Sequence, residues 1–205
     1  MLKDETGNDG DLTNIKTIKS YISMVTKGNN EINLVTSDGD FDTNNENDIY
    51  KLLLGEIITT ASIQKKGGNS VFKIYDTYTN ITIKLICILK SFYKDVYLCK
   101  PLTSRNFKSE RFLVCKDFKL SKGSKLTTIL NNLTNILEEM NKIESKNNHI
   151  VDIFTDYNLN DNLIKDIITY NLFLSNKQHV AINNIVEYKN NNSSKLVKCN
   201  VKFNM

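Results

Sequence analysis

The 205-residue chain has no tryptophan, a single proline and only two histidines. His149 and His179 stand alone, with no second ligand at helical spacing, which argues against a zinc site. The four cysteines, Cys87, Cys99, Cys115 and Cys199, form no Cys-x-x-Cys pair and fall mostly in apolar helix or strand patterns. They read as buried free thiols of a reducing compartment, and not as a disulfide framework. No apolar run reaches the ~18 residues needed to cross a bilayer. Residues 1–20 lack the basic-then-apolar profile of a signal peptide. The expectation is a soluble chain with no membrane contact and no metal. Scarce proline and tryptophan go with abundant asparagine, lysine and isoleucine, whose codons are rich in A and T. That bears on the source and not on mechanism.

What is present is ordinary for a globular protein: 40% hydrophobic and 24% charged residues. The length predicts one domain with an appendage. A net charge of +4 and a pI near 8.7 are compatible with a phosphate-bearing partner without requiring one.

Helical spacing runs from Leu12 to Val25, followed by a short strand from Glu31 to Ser37 that ends at Asp38. Ile49, Leu53, Ile57 and Ala61 recur every fourth position in a helix predicted over Asn47 to Lys66, stopped by Gly67-Gly68. A second strand is expected over Asn69 to Tyr75, then a helix from Thr79 to Tyr93 that is apolar nearly all round. Asp95 to Cys99 and Arg111 to Phe118 read as strands. Their connection is too short for a crossover helix, so they pair antiparallel. This order is the second half of a doubly wound sheet, whose ligands sit beyond the carboxyl ends of the parallel strands. Beyond it, Lys125 to Ile143 repeats apolar residues at heptad-like spacing. Leu159 to Leu174 and Gln178 to Tyr188 read as two further helices, Asn190 to Ser194 as a turn, and the final residues as a short strand.

The chemistry-bearing residues are Asp38 in Thr-Ser-Asp-Gly, Lys73 in Gly-Gly-Asn-Ser-Val-Phe-Lys-Ile-Tyr-Asp, and Glu110 in Lys-Pro-Leu-Thr-Ser-Arg-Asn-Phe-Lys-Ser-Glu-Arg. Their spacing brings one amine and two carboxylates to one sheet edge, where a lysine can position or deprotonate a hydroxyl nucleophile. The run Asp38, Asp40, Asp42 alternates like a calcium loop, but Thr43 replaces the required glycine and Ile49 the closing glutamate.

These motifs, over about residues 7 to 118, resemble the FtsJ-type ribose 2′-O-methyltransferases, above all those of eukaryotes and large DNA viruses that methylate the first nucleotides of capped mRNA. The resemblance implies the C-terminal half of a Rossmann-like class I methyltransferase sheet over residues 1–118 and a helical C-terminal extension over 119–205. It implies Asp38, Lys73 and Glu110 as catalytic residues and S-adenosyl-L-methionine as methyl donor. Asp11, Leu12 and Asp38 would contact that donor. Asn47, Asp48, Ile49, Arg105 and Lys108 would contact the substrate. Lys100, Arg105, Lys108 and Arg111 bracket the loop into Glu110 and would line a groove for RNA phosphates. Tyr75, Tyr78 and Tyr97 either stack on bases or pack in the core.

The family's glycine-rich donor loop and the first lysine of its Lys-Asp-Lys-Glu set have no counterpart in the chain. The expectation is therefore the C-terminal portion of such an enzyme, either an incomplete reading frame or a half that relies on another chain. Partners implied are capped mRNA and either other capping subunits or that missing half. The compartment implied is the cytoplasm, the host's if the source is viral. Two alternatives stay open: a ribosomal-RNA 2′-O-methyltransferase, and a non-catalytic RNA-binding or stimulatory subunit of a capping complex. Two carboxylates beside Lys73 oppose a lowered lysine pKa, which favours orientation of the hydroxyl over its deprotonation.

Overall fold

The structure, a computed structural model, describes residues 10–27, 32–39, 46–144 and 150–191. The elements in chain order are α1 (Ile15–Thr26), β1 (Ile32–Ser37), α2 (Glu46–Ile63), β2 (Gln64–Ile74), α3 (Asn80–Phe92), β3 (Tyr93–Cys99), β4 (Arg111–Phe118), α4 (Ser124–Glu144) and α5 (Asp161–Asn191). The four strands form one sheet in the order β1-β2-β4-β3, with β1 and β2 parallel and β4 antiparallel to both its neighbours. The expected antiparallel pair is present, and its second strand also fills the gap that the β2–α3–β3 crossover leaves open.

Strand alternation sorts the sheet into two faces. Ser70, Phe72 and Ile74 of β2 stand beside Cys115, Leu113 and Arg111 of β4, and all six are buried. Val71 and Lys73, beside Val114 and Phe112, occupy the other face and are half-buried. The buried face carries the core, which draws on Ile18 of α1, Leu53, Leu54 and Ile57 of α2, Leu85 and Leu89 of α3, and Leu126, Leu133, Leu137 and Met140 of α4. The heptad-like stripe of α4 thus packs into the same core as the sheet.

Local chemistry sets several boundaries. Asn14 caps α1 by accepting from the Lys16 N–H at 2.9 Å, and Thr79 caps α3 by accepting from Thr82 at 3.3 Å. Asn160 accepts from Asn162 and Leu163 at the start of α5. Buried Lys84 on α3 pairs with Asp152 at 2.8 Å and donates to the carbonyls of Ile153 and Phe154, pinning that segment to the helix.

Two boundaries differ from expectation. The helix predicted to run to Lys66 ends at Ile63, because from Gln64 onward the backbone pairs with β1. Gly67 and Gly68 do not stop the helix; they lie inside β2, where the β1 register jumps from Ile32↔Gln64 to Leu34↔Asn69. Gly67 takes a φ of 81° in this bulge, a conformation glycine adopts without strain. The two helices predicted beyond Leu159 are one, α5, of 31 residues. Ser175-Asn176-Lys177 breaks the apolar pattern but contains no glycine or proline to break the backbone. Residues 192–205, including the predicted final strand and Cys199, lie outside the described residues, as do Asp40, Asp42 and Thr43. Among the described residues no helix is long and apolar enough to cross a membrane.

Candidate active site

Parallel pairing places Ser37 opposite Phe72, so the next residues, Asp38 and Lys73, meet at the carboxyl end of the parallel strands. The Lys73 Nζ lies 2.7 Å from Asp38 Oδ1. The Lys73 side chain is 8% exposed and the Asp38 side chain 80%, so the pair has a sheltered amine and an open acid. Lys73 also lies over the Tyr75 ring, 5.7 Å from its centroid.

Glu110 arrives from the neighbouring strand. Lys73 is the register partner of Phe112, so Glu110, two residues earlier, stands on the same side at the same sheet end. Its Oε1 accepts from Ser104 Oγ at 2.7 Å. Lys100 builds this loop from within: its Nζ donates to the carbonyls of Lys108 and Glu110, both at 2.8 Å, and to Ser104 Oγ at 3.2 Å. Burial lowers the pKa of Lys100, with Glu110 pulling it back up. Ser104→Ala removes the donor that fixes the Glu110 carboxylate. It is expected to weaken stability by about 1 kcal/mol or less, while altering any chemistry that needs Glu110 more than it alters folding; parallel urea and activity titrations check this.

Two of the four cations expected to line a groove are engaged elsewhere. Lys100 is turned into its own loop, and Arg111 is buried in an ion pair with Asp76 at 3.2 Å. Arg111 also donates to Thr77 Oγ1 at 3.0 Å and to Asn171 Oδ1 on α5. Arg105 and Lys108 remain on the exposed surface of the loop, with the Arg105 guanidinium 6.0 Å from the Phe107 ring centroid. Gln178 of α5 donates to the Phe107 carbonyl at 2.9 Å, tying the long helix to this loop. Of the tyrosines, Tyr75 is buried, whereas Tyr78 and Tyr97 are exposed.

A cavity of about 500 Å³, within the range of small-molecule pockets, opens beside Asp38. Leu12 and Asp38 line it together with Tyr21 of α1 and Leu52, Glu56 and Thr60 of α2. Asp11 does not line it. Its two carboxylate oxygens accept from the Thr13 N–H at 2.8 Å and the Thr13 hydroxyl at 2.9 Å, closing the turn into α1. Asn47 and Asp48 stand in the first turn of α2, and Ile49 beside them is buried. The 10–14 loop rests directly on α2 at Gly55, where an added Cβ would fall 1.9 Å from the Leu12 carbonyl oxygen. Gly55→Ala is therefore expected to destabilise the fold by about 1–3 kcal/mol and to push Leu12 off the cavity; urea unfolding measures the first effect.

Sequence reasoning missed Glu56. It is 3% exposed on the cavity wall, and its Oε1 accepts the Gly39 N–H at 3.1 Å. Its pKa is pushed up to about 7, chiefly by burial and further by Asp38, while the Gly39 N–H and Lys73 pull it down. The signal was present: one acid between Ile49, Leu52 and Ile63 on a face that is otherwise apolar or threonine. Because the folded value lies above the ordinary 4.5, the stability this group contributes is complete below about pH 4.5 and is lost as pH rises through about 7. The shift corresponds to about 3 kcal/mol. Unfolding free energy should fall by roughly that amount across this window, and Glu56→Gln should flatten the fall; denaturant titrations at pH 4.5, 6 and 8 test it.

The described cysteines have no disulfide partner, and burial pushes the Cys115 thiol up to about 12. No group of three or more histidine, cysteine, aspartate or glutamate side chains able to hold a metal occurs among the described residues.

Fold and site together define an α/β sheet with an amine–carboxylate pair at the carboxyl end of its parallel strands. Residues 3–118 match the FtsJ-like methyltransferase family, and the chain belongs to it. It is 27% identical over 194 residues to a cap-specific mRNA (nucleoside-2′-O-)-methyltransferase 1 of Caenorhabditis elegans, covering 91% of this chain and 21% of that protein. It is 33% identical over 115 residues to a probable methyltransferase of African swine fever virus, covering 54% of this chain and 27% of that protein. The chain thus spans about a quarter or less of the length of these relatives. Among solved structures, a putative ribosomal RNA methyltransferase of Plasmodium falciparum aligns at a TM-score of 0.39 and 19% identity, over 58% of this chain and 60% of that one.

Proposed function

We propose that this chain carries the acceptor-side rim of an S-adenosyl-L-methionine-dependent RNA ribose 2′-O-methyltransferase that acts on capped mRNA. The observation that carries the reading is the 2.7 Å approach of Lys73 to Asp38 at the carboxyl end of the parallel strands, with Glu110 just ahead of the adjoining strand. The family match and the cap-specific relatives support the reaction class and the substrate. The residues around the 500 Å³ cavity suit the donor in part: Leu12, Tyr21 and Leu52 offer apolar walls, while Thr60 and Asp38 offer polar atoms. When bound, S-adenosyl-L-methionine supplies an electrophilic methyl group on a sulfonium. Everything else falls to the chain's own side chains, and positioning is the largest contribution, because donor methyl and acceptor oxygen must be collinear. The charge of Asp38 favours the ammonium form of Lys73. Lys73 then serves as a donor that fixes the 2′-oxygen and leaves one lone pair directed at the methyl group. Glu110, steadied by Ser104, offers an acceptor for the hydroxyl proton.

Arg105 and Lys108 are the RNA contacts in this reading, exposed on the loop that ends in Glu110. Replacing both with alanine is expected to weaken capped-RNA binding and to reduce the slope of log affinity against log salt by about 0.7 for each phosphate no longer neutralised. A salt slope identical to that of the unaltered protein would remove this loop from the RNA path. Comparing methyl transfer to capped and uncapped transcripts of one sequence tests the substrate. Equal rates on both would favour a ribosomal or other uncapped RNA.

A further inference from the structure

The turn that follows Asp38 of the Lys73–Asp38 pair is held by one more ionisable group, the α2 carboxyl of Glu56. Geometry makes the connection before any titration is considered. Glu56 is enclosed at the wall of the cavity that Asp38 also lines, and its Oε1 takes the N–H of Gly39, the residue after Asp38. The approach depends on glycine: a Cβ at residue 39 would fall 2.6 Å from that oxygen and 2.7 Å from Leu52 Cδ2. The carboxyl therefore holds the turn that aims Asp38 at Lys73. We propose that Glu56 is a proton-linked positioning residue for the Lys73–Asp38 pair, holding the Gly39 turn in both of its charge states and adding a second negative charge beside Lys73 when it ionises.

The catalytic meaning of this device rests on the methyltransferase reading above; the coupling itself does not. Among the described residues, the groups that face Glu56 around the cavity are few. The residue following β1 contributes Asp38 and α1 contributes Tyr21, while Lys73 of β2, paired with Asp38, acts on the carboxyl electrostatically without lining the cavity. Within α2 the lining neighbours are Leu52, Thr59, Thr60 and Ile63, and no residue of α3 or α4 lines the cavity. Lys73 favours the ionised form and Asp38 opposes it, so the two members of the pair pull the Glu56 equilibrium in opposite directions. A midpoint close to neutrality lets modest changes of pH decide whether Lys73 faces one negative charge at this wall or two.

The test is an amide titration that needs neither donor nor RNA. The ¹H–¹⁵N signal of Gly39, followed from pH 5 to 9 in the 205-residue chain, should show an inflection near 7, because its proton is bound to the titrating carboxyl. Glu56→Gln should abolish the inflection yet keep the amide protected from exchange, since the glutamine oxygen still accepts. Asp38→Asn should move the midpoint down and Lys73→Met should move it up. A purely structural carboxyl would give no opposite movement in these two variants. An inflection at the ordinary carboxylate value, or one indifferent to both substitutions, would overturn the proposal. If the inflection behaves as stated but capped RNA is never methylated, the coupling stands and the methyltransferase reading falls.

Discussion

Lys73→Ala is expected to lower methyl transfer to capped RNA by about 10²–10³-fold, the usual cost of removing one positioned hydrogen-bond donor at a reacting oxygen. The loss should appear in kcat more than in KM, because in the proposed reaction the amine meets the 2′-oxygen at the reacting centre and not along the RNA. Unfolding does not supply a rival explanation of that size. Lys73 pairs with an acid that is 80% exposed, and pairs of that kind contribute about 1 kcal/mol or less. Lys73→Arg discriminates further. A guanidinium keeps the charge and the pairing to Asp38 but places its donors in a broader planar fork. If charge alone sufficed, arginine would restore most of the rate; the expected restoration is small. Single-turnover rates for the three proteins, measured beside their denaturation midpoints, decide the matter.

Arg111→Ala should be the most destabilising single change at this end of the sheet, by about 3–5 kcal/mol. The guanidinium is 3% exposed and joins three parts of the chain. It pairs with Asp76 after β2, donates to Thr77 Oγ1, and donates to Asn171 on α5. Thr77 and Asn171 complete the network: the threonine hydroxyl donates to Asn171 Oδ1 at 2.8 Å, and Asn171 Nδ2 donates to the Thr77 carbonyl at 3.2 Å. Removing the arginine leaves the Asp76 carboxylate and a buried asparagine oxygen with fewer donors, and that uncompensated burial is the main cost. The same change loosens α5, whose buried residues Ile167, Asn171 and Leu174 face this region while most of its length is exposed. Denaturation midpoints and limited proteolysis within residues 161–191 read the two effects. A loss below about 1 kcal/mol would mean that the network adds nothing beyond surface pairing.

The residues that face the rim are legible in the sequence because strand ends announce themselves. Thr36-Ser37-Asp38-Gly39 closes a short apolar strand, Lys73 sits near the end of the next, and Glu110 precedes a third, so the parallel and antiparallel registers alone bring them to one edge. Glu56 is legible only as a lone acid on an otherwise apolar or threonine face, and not as a neighbour of Asp38. Its helix reads as core, and only the close approach of Gly39 shows that the acid faces the cavity. Arg111 misleads for a related reason. A cation beside an exposed basic loop looks available for phosphate, but its position opposite Ile74 on the buried face commits it to Asp76 and Asn171 instead. The long α5 reads as two helices because its apolar pattern lapses at Ser175-Asn176-Lys177, although an exposed helix needs no apolar pattern to remain helical there. Gly67-Gly68 reads as a helix stop because the left-handed geometry is the same in a helix terminus and in a strand bulge.

The central claim is that the amine and its flanking acids act on a ribose hydroxyl. It is tested most directly by incubating capped RNA with the unaltered protein and S-adenosyl-L-methionine, digesting the product to nucleosides and weighing them. The expected product carries a methyl group on a ribose 2′-oxygen near the cap, absent when that nucleotide is 2′-deoxy and absent with Lys73→Ala. A methyl group on a base, or one that persists on the deoxy transcript, would contradict the claim.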